Sequence, residues 1–190
     1  MAEAGAKKRL VPDVRIPALI ATVLLVVGGG YLLDRWINDG GRSDLKAHVD
    51  QKRRDEIDKR FKQGVLMLHA KQYEHAMTAF HRVLELAPTM PEAHVNMGFA
   101  MIGQKRYKEA LQFFDGATEL NRNQINAYYG MAEAYEGLGD YRGALEAMEA
   151  WLHRAKADDP FRRRAESAVW EWRERLRREK EAAARSAMPK

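Results

Sequence analysis

PEAHVNMGFAMIGQKRYKEALQFFDGATELNRNQ, residues 91–124, is echoed in step by the residues on either side of it. Tyr107 has counterparts 34 positions away at Tyr73 and Tyr141, and Ala110 has Ala76 and Ala144. Phe114 is matched by Phe80 and, more loosely, by Met148. Self-similarity at this period, with small and aromatic residues at fixed offsets, specifies a solenoid of helix-turn-helix units. Within the stretch, His94, Met97 and Met101, and likewise Val95, Phe99 and Ile102, recur at the three-and-four spacing of a helix. Ala110, Phe113, Phe114, Ala117 and Leu120 do the same in its second half. One helix pair cannot bury such faces alone, so neighbouring pairs must stack.

Three consecutive units, 57–90, 91–124 and 125–158, resemble the tetratricopeptide repeat family. The family's small eighth residue stands as Gly64, Gly98 and Ala132, its aromatic seventeenth as Tyr73, Tyr107 and Tyr141, and its alanine at twenty as Ala76, Ala110 and Ala144. Proline at position 32 survives only as Pro88, and position 27, usually small, runs Val83, Ala117, Trp151. The resemblance implies an all-α solenoid of three repeats, and it is specific for fold rather than for function.

It also implies a concave groove lined by positions 2, 5, 9 and 12 of each first helix. Here those positions give Phe61, Val65 and Leu68, then Val95, Phe99 and Ile102, then Tyr129, Glu133 and Glu136, preceded by Asp58, Glu92 and Asn126. The chaperone-binding members hold a peptide carboxylate in a basic, asparagine-rich clamp. Asn96 resembles one member of that clamp, but Phe61, Val65 and Tyr129 replace its polar positions. The expected partner is therefore an apolar or amphipathic segment of another protein, with a basic end to meet the two glutamates. A stalk helix or a neighbouring subunit covering the strip is the structural alternative, since apolar area of that size is seldom left wet.

The chain outside the repeats divides into four parts. Residues 1–15 form a basic tail with Lys7, Lys8, Arg9 and Arg15. Ile16 to Leu33 carries no charge, and as a helix it would be about 27 Å long, which matches a hydrocarbon core. Residues 16–37 are thus expected to be a transmembrane anchor, with Tyr31 and Trp36 at its interface. Ala18, Thr22 and the Gly28, Gly29, Gly30 run would let another membrane helix approach closely. A secretory signal shares the basic lead, but Tyr31, Leu32, Leu33, Asp34 and Arg35 follow the apolar run where a small-residue cleavage site belongs. The four basic residues ahead of the span outnumber Arg35, Arg42 and Lys46 after it, which predicts a cytoplasmic N-terminus and repeats on the periplasmic side. Residues 38–56 read as a linker and solvated stalk helix capped by Ser43, because no core residue stands between Val49 and Ile57.

Residues 159–186 read as a capping helix. Asp158-Asp159-Pro160 predicts its start, with an acidic N-cap and proline at the first helical position. Phe161, Ala165, Ala168, Val169, Trp172 and Leu176 would face the third repeat, leaving Trp170 outside as a candidate partner contact. The charge is lopsided, at −4 over 125–159 and +5 over 160–190. The basic helix invites a nucleic-acid reading, but Glu166, Glu171, Glu174, Glu179 and Glu181 are interspersed at pairing distances and favour a solvated face. Anionic lipid or an acidic protein surface suits it better than DNA.

Nothing in the chain predicts catalysis or a cofactor. There is no cysteine, which excludes disulfides, thiolate zinc sites and a thiol nucleophile. His94, Met97 and Met101 share a face with soft-metal character, yet they hold repeat positions that are core in every unit, so no metal site is expected. His69, His75 and His81 do not share one face, and Gly137-Leu138-Gly139-Asp140 is a turn rather than a phosphate loop. The whole reads as a membrane-anchored adaptor for recruitment or complex assembly, resembling anchored bacterial repeat proteins that accompany the secretion translocon or hold apocytochromes. A permanent accessory subunit of a large membrane complex and a secreted binding protein freed of its leader are the rival readings.

Overall fold

The computed structural model describes residues 28–35 and 42–187, and they are helical apart from short turns. Contacts divide the chain into residues 1–52 and 53–190. In the first unit, residues 28–35 form helix α1, and the opening turns of α2 (Arg42–His69) are exposed, with Leu45 at 64% and Val49 at 55%. Helix α2 begins at Arg42, with Ser43 in its first turn.

The second unit stacks α3 (Tyr73–Leu86), α4 (Pro91–Gly103), α5 (Tyr107–Leu120), α6 (Ile125–Leu138), α7 (Tyr141–Arg154) and α8 (Arg162–Ser186) onto the C-terminal half of α2. The first helices of the repeats are α2, α4 and α6, and the second are α3, α5 and α7. Each pair turns back through the same motif. Lys71, Lys105 and Gly139 take the left-handed conformation, with φ of 57°, 60° and 77°. In the first turn Gln72 N–H donates to the Met67 carbonyl at 2.8 Å and Lys71 N–H to Leu68 at 3.0 Å. Arg106 to Met101 and Lys105 to Ile102 repeat it, as do Asp140 to Tyr135 and Gly139 to Glu136. These are Schellman caps, which satisfy carbonyls that a helix end otherwise leaves without partners.

The core is built where an aromatic meets a missing side chain. Phe80 and Phe114 are fully buried, and a Cβ at Gly64 or Gly98 would lie 2.6 Å from the facing ring. In the third pair the matching positions hold Ala132 and Met148, both buried. Between repeats, Tyr73 lies against Gly103 and Tyr107 against Gly137, with no room for a Cβ at either glycine. Ala93, Ala100, Ala127 and Ala134 are wholly buried. Among the described residues, no buried side-chain nitrogen or oxygen lacks a partner.

The C-terminal helix departs from expectation at its start. Pro160 and Phe161 form a turn, and α8 begins at Arg162. The Asp159 carboxylate accepts from Phe161 N–H at 2.9 Å, two residues on, which makes an Asx-turn ahead of the helix instead of an N-cap. Phe161 is consequently 54% exposed, outside the face formed by buried Ala165, Val169 and Trp172. Ala168 and Leu176 are half-buried beside them.

The expected span at 16–37 lies outside the described residues except for its end in α1, as do Ala18 and Thr22. Gly28, Gly29 and Gly30 are helical, with nothing within 4 Å of an added Cβ. Among the described residues, no helix is long and apolar enough to cross a membrane.

Candidate functional site

The expected groove residues stand on the first helices of the three repeats. Phe61, Val65 and Leu68 recur at i, i+4 and i+7 on α2, as do Val95, Phe99 and Ile102 on α4 and Tyr129, Glu133 and Glu136 on α6. Their aromatic members each lean edge-on against a second-helix ring. Phe61 meets Phe80 at 5.9 Å between centroids, Phe99 meets Phe114 at 5.2 Å and Tyr129 meets Trp151 at 5.6 Å. Phe61, Val65, Leu68, Phe99 and Ile102 are half-buried, so each gives one side to the core and one to the surface. Val95 is different. At 3% exposure it belongs to the core, because α4 packs against α3, α5 and α6 at once and keeps little free arc.

The third-repeat end of the strip is engaged by α8. Trp172 Nε1 donates to Glu136 Oε1 at 3.1 Å, and Arg164 stands 3.8 Å from Glu133. Phe161 adds a tilted ring 6.1 Å from Tyr129. Burial raises the Glu133 carboxyl above its ordinary range, with Arg164 pulling it down and Glu136 pushing it further up. Burial, then the Glu133 charge, raises the Tyr129 hydroxyl too. The acidic end read as a mate for a partner's basic end is therefore occupied from within the chain. No sequence pattern pointed to the Trp172–Glu136 bond, since it joins residues 36 apart on helices of different repeats.

The other candidates resolve by their neighbours. His94 Nε2 is 2.8 Å from the Pro88 carbonyl oxygen, where the ring nitrogen serves as donor, and its ring lies 5.9 Å from Phe113. Met97 and Met101 are buried, and no cluster of three metal-ligating His, Asp or Glu side chains occurs among the described residues. His69, His75 and His81 are exposed and separate. An open cleft of about 480 Å³ on the first repeat is lined by Arg60, Gln63, Met67, His75 and Arg82 among others, yet its two arginines are already paired with Glu56 and Glu85 at 2.8 and 2.7 Å. Trp170 projects from α8 at 67% exposure.

Half-exposed apolar side chains on paired, stacked helices define a helical-repeat binding scaffold. The family profile for the tetratricopeptide repeat matches residues 67–128 and again 101–163, together just over half of the chain, and the chain belongs to that family. No curated protein matches it. Among solved structures it is similar to the Sgt2 TPR domain from Aspergillus fumigatus, at 22% identity and a TM-score of 0.60, covering 71% of this chain and 85% of that one. It is also similar to PcrH in complex with the chaperone binding region of PopD (20% identity, TM-score 0.60, covering 65% and 95%). The third is the TPR2B domain of yeast Sti1 in a pHsp70 complex (19% identity, TM-score 0.59, covering 63% and 98%). At these identities the likeness is one of fold.

Proposed function

We propose that this chain is a tetratricopeptide adaptor that holds an apolar or amphipathic segment of a partner protein against the first helices of repeats one and two. The observation that carries the reading is the half-exposed set of Phe61, Val65, Leu68, Phe99 and Ile102, carried at matching positions on the first helices of repeats one and two and free of charge. The third repeat, with Tyr129, Glu133 and Glu136 given over to α8, bounds the seat and does not extend it. The PcrH and Sti1 structures, solved with a PopD region and with pHsp70, support a role in gripping segments of other proteins. The charge-free run from Ile16 to Leu33 supports a single-span anchor, with the N-terminus cytoplasmic and the repeats across the membrane, where the adaptor recruits or assembles membrane or exported proteins.

Chemical cross-linking in mild detergent tests the seat. Proteins captured by the parent chain are expected to be lost with Phe99→Glu, tested in a chain that circular dichroism shows to be folded, since the ring also packs on Phe114. Capture of the same proteins at the same yield by the folded variant would overturn the reading. Carbonate extraction of the native membrane fraction tests the anchor, which requires the chain to stay with the pellet.

A further inference from the structure

Helix α8 is more than a lid, because it takes the place of a fourth first helix. Gly103 lies beneath Tyr73 and Gly137 beneath Tyr107; at the next step the Arg175 guanidinium sits 4.1 Å over the Tyr141 ring. Arg175 follows Gly137 by 38 positions instead of 34, so the turn before α8 has absorbed four extra residues. In that alignment buried Ala165 matches Ala93 and Ala127, Val169 matches Met97 and Met131, and Trp172 matches Ala100 and Ala134. Trp170 then falls where Gly64, Gly98 and Ala132 receive the second helix of their own pair. Its indole is 67% exposed, and among the described residues no second helix follows to cover it.

We propose that this face of α8 docks an acidic amphipathic helix of a partner protein, which completes the fourth repeat in trans and meets Trp170 with a glycine or alanine. The size rule comes from the earlier pairs. Where the first helix offers glycine at this place, the second offers phenylalanine with no room for a further carbon, so a tryptophan there requires a small residue opposite. The charge rule comes from α8 itself. Glu166, Glu174 and Glu179 are neutralised along the helix by Arg162, Arg177 and Arg175, and Glu181 by Arg177, which leaves Glu171 as the one glutamate of α8 without an ion pair among the described residues. Among the described residues, Arg163 and Arg178 form no ion pair, although Arg178 helps to hold the Glu174 carboxyl down. They stand about two turns to either side of Trp170, on the order of 22 Å apart along the helix. The occupant therefore carries carboxylates near both ends of a four-turn contact. A second copy of α8 fits badly, since antiparallel pairing about Trp170 sets indole against indole and Arg163 against the Arg178 region. An anionic bilayer would meet the glutamates as well as the arginines.

Fluorescence anisotropy of labelled helical peptides of about 20 residues, titrated with the full chain in mild detergent, tests the proposal. One peptide carries glutamates at both ends and alanine at the centre of its apolar face, a second replaces the alanine by tryptophan, and a third replaces the glutamates by lysines. The first is expected to bind at least tenfold more tightly than the others, to lose at least tenfold with Trp170→Ala, and to cede its advantage to the lysine peptide with Arg163→Glu/Arg178→Glu. Phe99→Glu should leave these affinities unchanged, which separates this face from the first-helix seat. Equal binding of the glutamate and lysine peptides, or no effect of Trp170→Ala in a chain that is folded by circular dichroism, would overturn the proposal. So would a halving of the light-scattering mass by Trp170→Ala, which assigns the face to a second copy. Loss of binding to phosphatidylserine vesicles in that variant, without peptide binding by the parent, assigns it to lipid and overturns the proposal equally.

Discussion

Position fifteen of each repeat holds a residue in the left-handed region, and two of the three pay a steric cost that the third avoids. Lys71 and Lys105 adopt φ of 57° and 60° where Gly139 adopts 77°. An L-residue with a Cβ is disfavoured there by roughly 1–2 kcal/mol, offset in part by the greater freedom that glycine has in the unfolded chain. Lys105→Gly is therefore expected to stabilise the fold by about 0.5–1 kcal/mol, read as a rise in the urea midpoint at unchanged slope. A fall would mean that the lysine side chain makes a contribution larger than its strain. The repeat residues themselves were legible because Tyr107, Ala110 and Phe114 advertise a period. The left-handed turn was not, because lysine has no preference for it, and only alignment with Gly139 reveals the demand. Glu133 gives a second test at this scale. Burial holds its carboxyl above the ordinary range in the folded chain, so the folded state binds that proton more tightly than the unfolded state does. Its contribution to stability is thus present at low pH and lost as pH rises through the folded pKa, and the cost of the buried charge is relieved on acidification. Glu133→Gln should be more stable than the parent at neutral pH, with the difference shrinking as pH is lowered toward the ordinary value of 4.5. Paired urea titrations measure this, and a difference that widens on acidification would contradict it.

At the scale of the element, pattern and structure agree wherever a helix meets only its repeat neighbours, and part where a helix meets something outside the repeat. Phe61 and Phe99 sit half in the core and half out, as their spacing implies. Val95 shares that spacing, but α4 is enclosed by helices on both sides of the stack, and periodicity along one helix says nothing of how many neighbours it has. The acidic pair on α6 is spoken for by α8, through a hydrogen bond that only three-dimensional proximity could reveal. Trp172→Phe keeps the buried ring area and removes that bond, so a loss of about 1–3 kcal/mol is expected, since the acceptor is charged. The same change in a Glu136→Gln background should cost less, and equal costs in the two backgrounds would show that the indole nitrogen contributes nothing through Glu136. The start of α8 was misplaced from sequence for a related reason. Asp followed by proline serves an Asx-turn as well as an N-cap, and Asp159 made the former.

In the second unit as a whole, stability is shared between pairs and the interfaces that join them, and this gives the last helix a role out of proportion to its contacts. Buried Trp151 on α7 and Trp172 on α8 belong to the same core cluster, and among the described residues no repeat follows α7. Helix α8 closes the stack with Ala165, Val169 and Trp172 on one side and presents arginines and glutamates on the other, which is how a stack ends in water. Removing residues 160–190 should therefore do more than subtract one helix. It uncovers the apolar face of α7 and frees Glu133 and Glu136, leaving an end with the composition of an internal interface. The expected result is a lower and broader urea transition, with self-association visible by light scattering. Loss of α8 by itself would also lower the helical signal, so the discriminating comparison is a chain in which Ala165, Val169 and Trp172 are replaced by serine, serine and glutamine. That variant keeps the length and charge of α8 but not its inner face. If capping rests on this face, it should broaden and associate as the truncation does. A variant that stays monomeric with the parent's transition would place the cap in the charges of α8, and would leave Trp170 as the one apolar contact that helix has to offer.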